Sequence, residues 1–347
     1  MRLGIIVNPR ARRAGRAGFS SQLEAICKAT PGLTVHLRQT HSPAELDEAM
    51  RALADRGIDI LAPCGGDGTL TATLTAAYRV FGTQLPSWLP LAGGTMNTIA
   101  RNLGAQAQPA KRLAQMCRSL ARGEWHAQPQ ATILVHSDGE VPLNLATLRP
   151  SDKARPARSE RIGFLCSAAM GARFLAAYSA SPHRGLLSAS LLAMRTIASS
   201  LIPGGGPLAR WLFTPLAAQL CVDGAVQPDP TYRLLIASTV PDVGLGMRVP
   251  WQAGSVSDRF HLIASSLSTV KNAIQVPRML RGLPLCGQPH LDVLAKQTSL
   301  VFTQPEPIVL DGELFCAQRL DLHIGPTLRV ISPGVAPQGI EPRTLRV

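Results

Sequence analysis

The sequence has few aromatic residues, few acidic residues and no long uninterrupted apolar run. Aromatic side chains make up 4% of the 347 residues although 46% are hydrophobic, so the core must consist mainly of aliphatic side chains, which suits α/β layers. The longest apolar stretch, residues 185–202, is interrupted by Arg195 and several serines, which excludes it as a membrane span. The apolar run Leu3–Val7 is too short for a signal peptide.

No two cysteines have the C-x-x-C spacing of a structural zinc site, and their total of seven is odd. This pattern argues against a disulfide framework and fits a reducing compartment. The eight histidines have no metal-ligand spacing. The chain is therefore expected to be cytoplasmic, with contact at the inner face of the membrane limited to peripheral binding.

Acidic residues are outnumbered, since 22 Asp and Glu stand against 35 Lys and Arg, giving a net charge of +13. This charge favours an anionic partner such as nucleic acid, nucleotide phosphates or an acidic membrane surface. No zinc-finger spacing, RNA-recognition motif or interleaving of arginine with aromatic residues accompanies it. Nucleic acid is therefore not expected as a partner.

The length predicts two domains. Strand and helix signals alternate over the first third, and the order strand, glycine loop, helix occurs twice. This predicts an α/β fold, with a doubly wound, parallel nucleotide-binding domain over residues 1–128. Short alternating runs then predict a mainly antiparallel, β-rich and sandwich-like domain over 129–325, followed by a C-terminal segment, 326–347, that can return to the first domain. Asp-Gly turns are predicted at 138–139, 223–224 and 311–312.

The loop Gly65–Thr69 follows an apolar strand and precedes a run of helix formers. Glycines allow backbone N–H groups to approach phosphate oxygens, and the following helix contributes the positive end of its dipole. Asp67 would repel a phosphate unless Mg²⁺ or a proton to be removed makes its charge useful. Asp67 is therefore predicted to be catalytic or a metal partner. A simple glycine-rich turn with a solvent-facing aspartate is the alternative.

A second loop, Gly94–Thr98, lies about one βα unit downstream, so both loops are expected at the same edge of the sheet. Thr95 and Asn97 offer neutral hydrogen bonds at a helix start. Arg101 offers a guanidinium for a phosphate or for a carboxylate partner. Taken alone, this second motif is more often an ordinary helix N-cap.

Together these motifs resemble the diacylglycerol kinase catalytic-domain family, which includes bacterial lipid kinases and sphingosine kinases. The matching segments are Asn8-Pro9, 65–69, 94–101, 244–258 and 310–313, and in this order they cover most of the chain. The resemblance implies transfer of the γ-phosphate of ATP, with Mg²⁺, to a hydroxyl of diacylglycerol or a related lipid.

The resemblance also implies roles for particular residues. The nucleotide site would consist of Asn8, Pro9, Thr40, Gly65, Gly66, Asp67, Gly68, Thr69, Leu70, Thr71, Gly94, Thr95 and Asn97. An acid of the triplet 311–313 would be the general base on the lipid hydroxyl, with Glu313 favoured and Asp311 close behind. A magnesium site would take the Asp258 carboxylate and the carbonyls of Ser255 and Phe260, oxygen ligands that suit Mg²⁺.

The chain departs from the family at two positions. Arg173 stands where relatives usually have an aspartate, and Asp258-Arg259 stands where Asp-Gly is usual. A second Asp-Gly-Glu triplet, 138–140, lacks family context and is predicted to be only a hairpin turn. Two alternatives to a lipid kinase remain: an NAD kinase-like enzyme, which also uses a Gly-Gly-Asp-Gly loop, and a catalytically silent protein that binds nucleotide or membrane.

The apolar region Leu186–Trp211, with Arg184, Arg195 and Arg210 near it, is predicted to rest on anionic lipid headgroups. A buried core helix is the alternative. A homodimer also remains open.

Overall fold

The computed structural model describes residues 1–334 apart from 107, 142, 145–148, 151–156, 182–184, 229, 230, 288 and 289. The chain divides into two compact units. The first contains Met1–Gln130 together with the chain from Thr327, and the second contains Ala131–Pro326.

The elements are numbered along the chain. The first unit begins with β1 (Arg2–Val7), α1 (Phe19–Lys28), β2 (Thr34–Gln39), α2 (Pro43–Asp55), β3 (Ile60–Gly65), α3 (Asp67–Phe81), β4 (Ser87–Trp88), β5 (Leu91–Ala92), α4 (Thr98–Asn102), α5 (Pro109–Arg122) and β6 (Trp125–Gln130). The second unit contains β7 (Ile133–Glu140), β8 (Leu143–Asn144), β9 (Arg149–Pro150), β10 (Ala157–Gly163), β11 (Leu165–Ala169), α6 (Met170–Ala180), α7 (Leu186–Leu201), α8 (Pro207–Leu212), β12 (Leu216–Val222), β13 (Ala225–Val226), β14 (Thr231–Tyr232), β15 (Leu234–Ser238), β16 (Phe260–Ser265), α9 (Thr269–Ala273), α10 (Val276–Arg281), β17 (His290–Ala295), β18 (Gln297–Leu310) and β19 (Glu313–Ile324). The chain then re-enters the first unit as β20 (Leu328–Pro333).

The first unit is built on a mixed sheet with strand order β2-β1-β3-β4-β20-β6, in which β5 also pairs with β3. The pairs among β1 to β5 and the β4–β20 pair are parallel. The β6–β20 pair is antiparallel. The predicted α/β fold is therefore confirmed, with the correction that one edge of the sheet is antiparallel.

Helices cover both faces of this sheet. Leu3 and Ile5 of β1 pack in one core with Leu23 of α1 and Met116 of α5. On the other face α2 packs against α3. Because neither face meets water, β1 and β3 read as continuous apolar runs rather than as alternating patterns.

Side-chain caps satisfy the start of α2. Ser42 Oγ accepts a hydrogen bond from the Glu45 backbone N–H at 3.3 Å, and Glu45 Oε2 accepts one from the His41 backbone N–H at 2.9 Å. Such caps stabilise a helix by about 1 kcal/mol.

The second unit contains an eleven-stranded sheet within the described residues, with the main order β10-β7-β19-β18-β11-β15-β16-β17. Its pairs are antiparallel, which confirms the prediction of a β-rich second domain. The Asp-Gly turns at 223–224 and 311–312 are confirmed, since each joins two paired strands. No helix in the described part of the chain is long and apolar enough to cross a membrane.

Candidate functional site

The candidate site lies where β1, β3 and β5 end in the first unit. These strands are parallel neighbours, so the loops after Val7, Gly65 and Ala92 open at the same edge. The Asn8 backbone N–H donates to the Cys64 carbonyl at 3.1 Å and so ties the first of these loops to β3. The expectation that the two glycine loops meet at one edge is confirmed.

The two glycine loops touch through their backbones. The N–H groups of Gly93 and Gly94 both donate to the Gly65 carbonyl, at 2.8 and 2.9 Å. A Cβ added to Gly94 would lie 2.4 Å from Gly66 Cα, too close for any other residue without backbone movement. In contrast, a Cβ added to Gly68 would meet nothing within 4 Å. The paired loops are therefore closed between Gly66 and Gly94 and open at Gly68, where a phosphate group has room.

Asp67, the first residue of α3, connects the first loop to the second. Its Oδ2 accepts a hydrogen bond from the Thr98 backbone N–H at 2.8 Å, and its Oδ1 accepts one from the Ile99 backbone N–H at 2.9 Å. These N–H groups begin α4 and have no partner within their own helix. Asp67 thus caps a helix to which it does not belong and fixes the second loop relative to the first.

Burial and hydrogen bonding shift the pKa of the Asp67 carboxylate in opposite directions. Burial raises its pKa to about 6, while the backbone N–H groups of Thr98, Ile99 and Ala100 and the charge of Arg101 act to lower it. Both oxygens already accept backbone hydrogen bonds, which supports a positioning role for Asp67. Its direct participation in catalysis or metal binding stays a prediction.

Asn97 gives the second loop its shape. Its backbone has a positive φ of 51°, a conformation that asparagine tolerates better than most residues. Its Oδ1 accepts from the Gly94 N–H at 2.9 Å and its Nδ2 donates to the Gly94 carbonyl at 3.0 Å. The Asn97 side chain is therefore used within the loop, whereas the neighbouring Thr95 is partly exposed.

Asn8 connects the first strand to the glycine loop. Its Nδ2 donates to Thr69 Oγ1 at 2.9 Å, and its Oδ1 accepts from the Arg10 backbone N–H at 2.9 Å. Pro9 follows and is partly exposed. Thr40 is buried, with its backbone N–H donating to the Val7 carbonyl at 3.0 Å. These residues border the same edge of the sheet.

Two residues predicted to contact the nucleotide have side chains in the protein interior. Leu70 and Thr71 are fully buried, and Thr71 Oγ1 donates back to the Asp67 carbonyl at 3.2 Å within α3. They face inward because the helix turns by about 100° per residue. Their side chains therefore support the loop from behind, and the place of both residues in the nucleotide site stays a prediction.

The structure adds Arg13 to the candidate site. Its backbone N–H donates to the Gly93 carbonyl at 3.0 Å, which brings the loop after β1 against the second glycine loop. Arg13 is exposed. The signal was present in the sequence, because four exposed arginines follow Asn8-Pro9 closely: Arg10, Arg12, Arg13 and Arg16.

In the second unit, the triplet 311–313 forms the hairpin turn between β18 and β19. Asp311 and Gly312 have positive φ values of 49° and 94°, as a type I′ turn requires. Asp311 is only 2% exposed, and its carboxylate accepts from the backbone N–H groups of Phe164 and Leu165 at 3.0 and 2.7 Å. Glu313 is partly exposed. The geometry therefore favours Glu313 over Asp311 as the group that meets a substrate.

The other Asp-Gly-Glu triplet is not a hairpin turn. Asp138 and Gly139 lie inside β7, which pairs on both sides with β10 and β19. Glu140 forms a bidentate ion pair with Arg161, whose Nη1 and Nη2 each lie 2.7 Å from a carboxylate oxygen. The prediction of a turn was wrong because strand pairing on both sides outweighs the local turn signal.

Arg161 was also missed by the sequence analysis. Its guanidinium lies 4.4 Å from the centre of the Phe315 ring. Burial acts to lower the pKa of Arg161, but the charge and hydrogen bonds of Glu140, with a further contribution from Glu313, raise it. Arg161 is therefore a permanent positive charge near Glu313.

The one carboxylate predicted to bind magnesium, that of Asp258, already has a cationic partner. An Asp258 oxygen lies 3.0 Å from Lys296 Nζ, and the pKa of Asp258 is lowered chiefly by this lysine. The Ser255 hydroxyl donates to the Gln252 carbonyl at 2.6 Å, and Phe260 begins β16. Within the described residues no group of three His, Cys, Asp or Glu side chains could hold a metal ion. These residues do not fit Mg²⁺, because an ammonium group already neutralises the one carboxylate.

Arg173 and Arg259 have structural partners. Arg173 Nη1 donates to the carbonyls of Leu212 and Thr214 at 3.3 and 2.5 Å, where its charge suits the C-terminal end of α8. Arg259 Nη1 donates to the Leu294 carbonyl at 3.3 Å. Both departures from the family pattern thus contribute hydrogen bonds to the second unit.

His261 is a further residue to which sequence analysis assigned no role. It is fully buried, with Nε2 2.5 Å from Asp292 Oδ1. The same aspartate accepts a hydrogen bond from Trp251 Nε1 at 3.2 Å. This network ties the segment before β16 to β17, and no sequence motif indicated it.

The parallel sheet edge with two backbone-linked glycine loops defines an α/β domain of the phosphate-binding type. Residues 2–125 match the family model described as the diacylglycerol kinase catalytic domain. No curated protein matches the chain.

Solved structures from Bacillus anthracis strain Sterne share the fold. One, named as a diacylglycerol kinase, is 14% identical with a TM-score of 0.57, covering 96% of this chain and 97% of that one. A second named for the same activity is 14% identical with a TM-score of 0.63, covering 96% of both chains. At this identity the likeness establishes the two-part fold.

Proposed function

We propose that the chain is an ATP-dependent lipid kinase that phosphorylates a hydroxyl of diacylglycerol or a related lipid. The observation that carries the proposal is the hydrogen-bonded pair of glycine loops, locked by Asp67 and left open at Gly68. An open, glycine-lined helix start suits a polyphosphate better than it suits an uncharged ligand. The match of residues 2–125 to a kinase domain supports the same reading.

In this proposal the first unit holds ATP. Backbone N–H groups of the loop Gly66–Thr69 and the start of α3 receive the phosphates, with Asn8 and Thr40 bordering the nucleotide. Arg13 and Arg101 add positive charge for the oxygens of the transferred group. Mg²⁺ enters with the nucleotide as its counter-ion, because Asp258 and its neighbours do not fit a separate ion.

Glu313 acts as the general base. Its carboxylate takes the proton of the lipid hydroxyl as that oxygen bonds to the γ-phosphorus, and the bond between the γ-phosphorus and the bridging oxygen breaks to release ADP. Asp311 holds the turn through Phe164 and Leu165. The proton thus goes to Glu313, the phosphoryl group goes to the lipid oxygen, and ADP leaves.

The test is a phosphate-transfer assay with labelled ATP and Mg²⁺ on vesicles that contain either diacylglycerol or a sphingoid base, with NAD as a parallel acceptor. Label is expected in a chloroform-soluble product, and its mobility identifies the lipid. Label confined to NAD would replace the proposal with an NAD kinase.

A second candidate is a protein that binds nucleotide without turnover. The Asp258–Lys296 ion pair favours it, because a lysine pairs with the carboxylate that the resemblance assigns to magnesium. ATP binding by calorimetry, combined with no labelled product from any acceptor, would establish this alternative.

A further inference from the structure

Helix α7 has the reverse of the usual amphipathic pattern. A helix in a globular protein normally buries its apolar side chains and exposes its polar ones. Here the buried positions are Ala189, Thr196 and Ser200. The exposed positions include Leu187, Leu191 and Met194, with Leu187 87% exposed and Met194 59% exposed.

The buried polar groups of α7 are satisfied locally. Thr196 Oγ1 donates to the Leu192 carbonyl and Ser200 Oγ donates to the Thr196 carbonyl, both at 2.8 Å. Ser199 Oγ accepts from the Ala209 backbone N–H of α8 at 3.0 Å. The small side chains of α7 therefore pack against the second unit with their polar groups satisfied. The leucines remain on the exposed side of the helix.

The exposed apolar positions form one stripe. Leu187, Leu191, Met194 and Leu201 recur at intervals of three, four and seven residues, so they share a face of the helix. This face runs for about 20 Å, given a rise of 1.5 Å per residue. Exposed apolar stripes of this kind usually mark a surface that another apolar phase covers.

The neighbouring helices extend the surface. α9 packs against α7, and α10 follows α9 directly. Large apolar side chains are exposed here too, with Ile274 61% exposed and Val270, Leu280 and Leu283 also exposed. The sequence pattern indicated only Leu186–Trp211 as a lipid-facing region, so α9 and α10 enlarge it. Arg184, which it included, lies outside the described residues.

The charged side chains of this surface are basic. Residues 161–222, which contain α6 to α8, include no Asp or Glu, and residues 259–291, which contain α9 and α10, include none either. Exposed cations stand beside the apolar stripe, namely Arg195, Arg210, Lys271 and Arg281. A second copy of the chain would bring these cations against their own equivalents. A partner with an anionic surface complements the cations. A partner with an apolar interior can cover the leucines.

We propose that α7, α9 and α10 form a docking surface for an anionic lipid bilayer, with the leucine stripe in the acyl-chain boundary and the cations among the headgroups. The surface is independent of the glycine loops. It deepens the proposed function by stating how a chain without a spanning helix in its described part reaches a membrane-bound substrate.

The test is flotation of the full chain with vesicles of phosphatidylcholine alone or with 30% phosphatidylglycerol, without nucleotide or diacylglycerol. We expect strong binding to the anionic vesicles, weak binding to the neutral ones, and loss of binding as salt is raised. The triple variant Leu187→Ser, Leu191→Ser, Met194→Ser is expected to bind at least about tenfold less. Arg195→Ala with Lys271→Ala is expected to lose about fivefold for each charge.

The matched control is Val226→Ser, which removes an apolar side chain of similar exposure from β13 in the same unit. It should bind vesicles like the wild-type chain, and all variants should keep the wild-type unfolding temperature. Equal binding by the triple variant, or no binding by the wild-type chain, would overturn the proposal. A dimer in light scattering that the triple variant loses would assign the face to a second copy instead.

The outcome is separable from that of the kinase proposal. Vesicle binding requires no turnover, and phosphorylation of a short-chain, water-soluble diacylglycerol by the wild-type chain requires no docking. Binding without phosphorylation would leave the surface intact and remove the kinase. Phosphorylation of the soluble substrate without vesicle binding would support the kinase proposal and remove the docking surface.

Discussion

Asp67 Oδ2 accepts a 2.8 Å hydrogen bond from the backbone N–H of Thr98, thirty-one residues further along the chain. The bond joins the first residue of α3 to the first residue of α4. Together with the hydrogen bonds from Gly93 and Gly94 to the Gly65 carbonyl, it holds the two glycine loops in one arrangement. Rigid backbone donors are what a phosphate site requires, since ordering them at the moment of binding would cost affinity.

Asp67→Asn should lower both stability and activity. The amide keeps one acceptor but turns an N–H₂ donor toward a backbone N–H, so the free energy of unfolding should fall by about 2 kcal/mol. We expect kcat/KM for ATP to fall about 100-fold. The matched control is Asp47→Asn, which removes only a surface ion pair with Arg79 at 3.6 Å and should cost less than about 1 kcal/mol. Near-normal kinetics in Asp67→Asn would contradict the positioning role.

The pH dependence of activity should follow the ionisation of Asp67. Its pKa is raised from 3.8 to about 6, so the ionised form that accepts both N–H bonds predominates above pH 6. We expect kcat/KM to fall roughly tenfold per pH unit below that value. The residual activity of Asp67→Asn should lack this inflection. An unchanged inflection in the variant would assign it to another group.

Stability should respond to the same ionisation with the opposite sign. Because the folded pKa of Asp67 lies above its ordinary value of 3.8, the folded state favours the protonated group. Its contribution to stability is present in acid and is lost as the pH rises through 6. The unfolding temperature of the wild type should therefore exceed that of Asp67→Asn by most at pH 4, and the difference should shrink as the pH rises to 7.

Gly68→Ala should weaken ATP binding, whereas Gly94→Ala should lower the stability of the fold. A methyl group at Gly68 meets nothing within 4 Å, whereas one at Gly94 meets Gly66 Cα at 2.4 Å. Gly68→Ala lies in α3 and should gain up to about 1 kcal/mol of stability while weakening ATP binding about tenfold, because it fills the open side of the loops. Gly94→Ala should lower the unfolding temperature. Unimpaired ATP binding by Gly68→Ala in calorimetry would place the phosphates elsewhere.

The two Asp-Gly-Glu triplets provide a matched pair of variants. Glu140→Gln removes the charge that faces Arg161 in a mostly buried ion pair and should cost about 3 kcal/mol of stability. Glu313→Gln should cost less stability than Glu140→Gln and lower turnover about 1000-fold, since it removes the proposed base. Normal turnover by Glu313→Gln would exclude it as the base.

Mg²⁺ without nucleotide should not stabilise the protein. The Asp258 carboxylate is paired with Lys296 at 3.0 Å, and an ion would have to displace this ammonium. We expect the unfolding temperature to be the same in Mg²⁺ and in EDTA. A rise with Mg²⁺ that disappears in Asp258→Asn would restore the magnesium site that the sequence predicted.

The sequence determined the elements whose signals are local. The apolar runs that became β1 and β3 lie between two helical layers, and the cap at Ser42 depends only on donors and acceptors that lie within four residues. The glycine loops were found for the same reason, since a strand, a glycine turn and a helix start are contiguous.

Tertiary structure decided what depends on distant neighbours. Two identical triplets took different conformations: residues 311–313 turn between β18 and β19, while residues 138–140 remain part of β7, which is paired on both sides. Likewise only the fold brings Asp67 to Thr98 and Lys296 to Asp258, and only packing shows which face of α7 is exposed. Hydrophobic periodicity identifies a face, but whether that face meets the core or the solvent is set by the neighbouring elements that contact it.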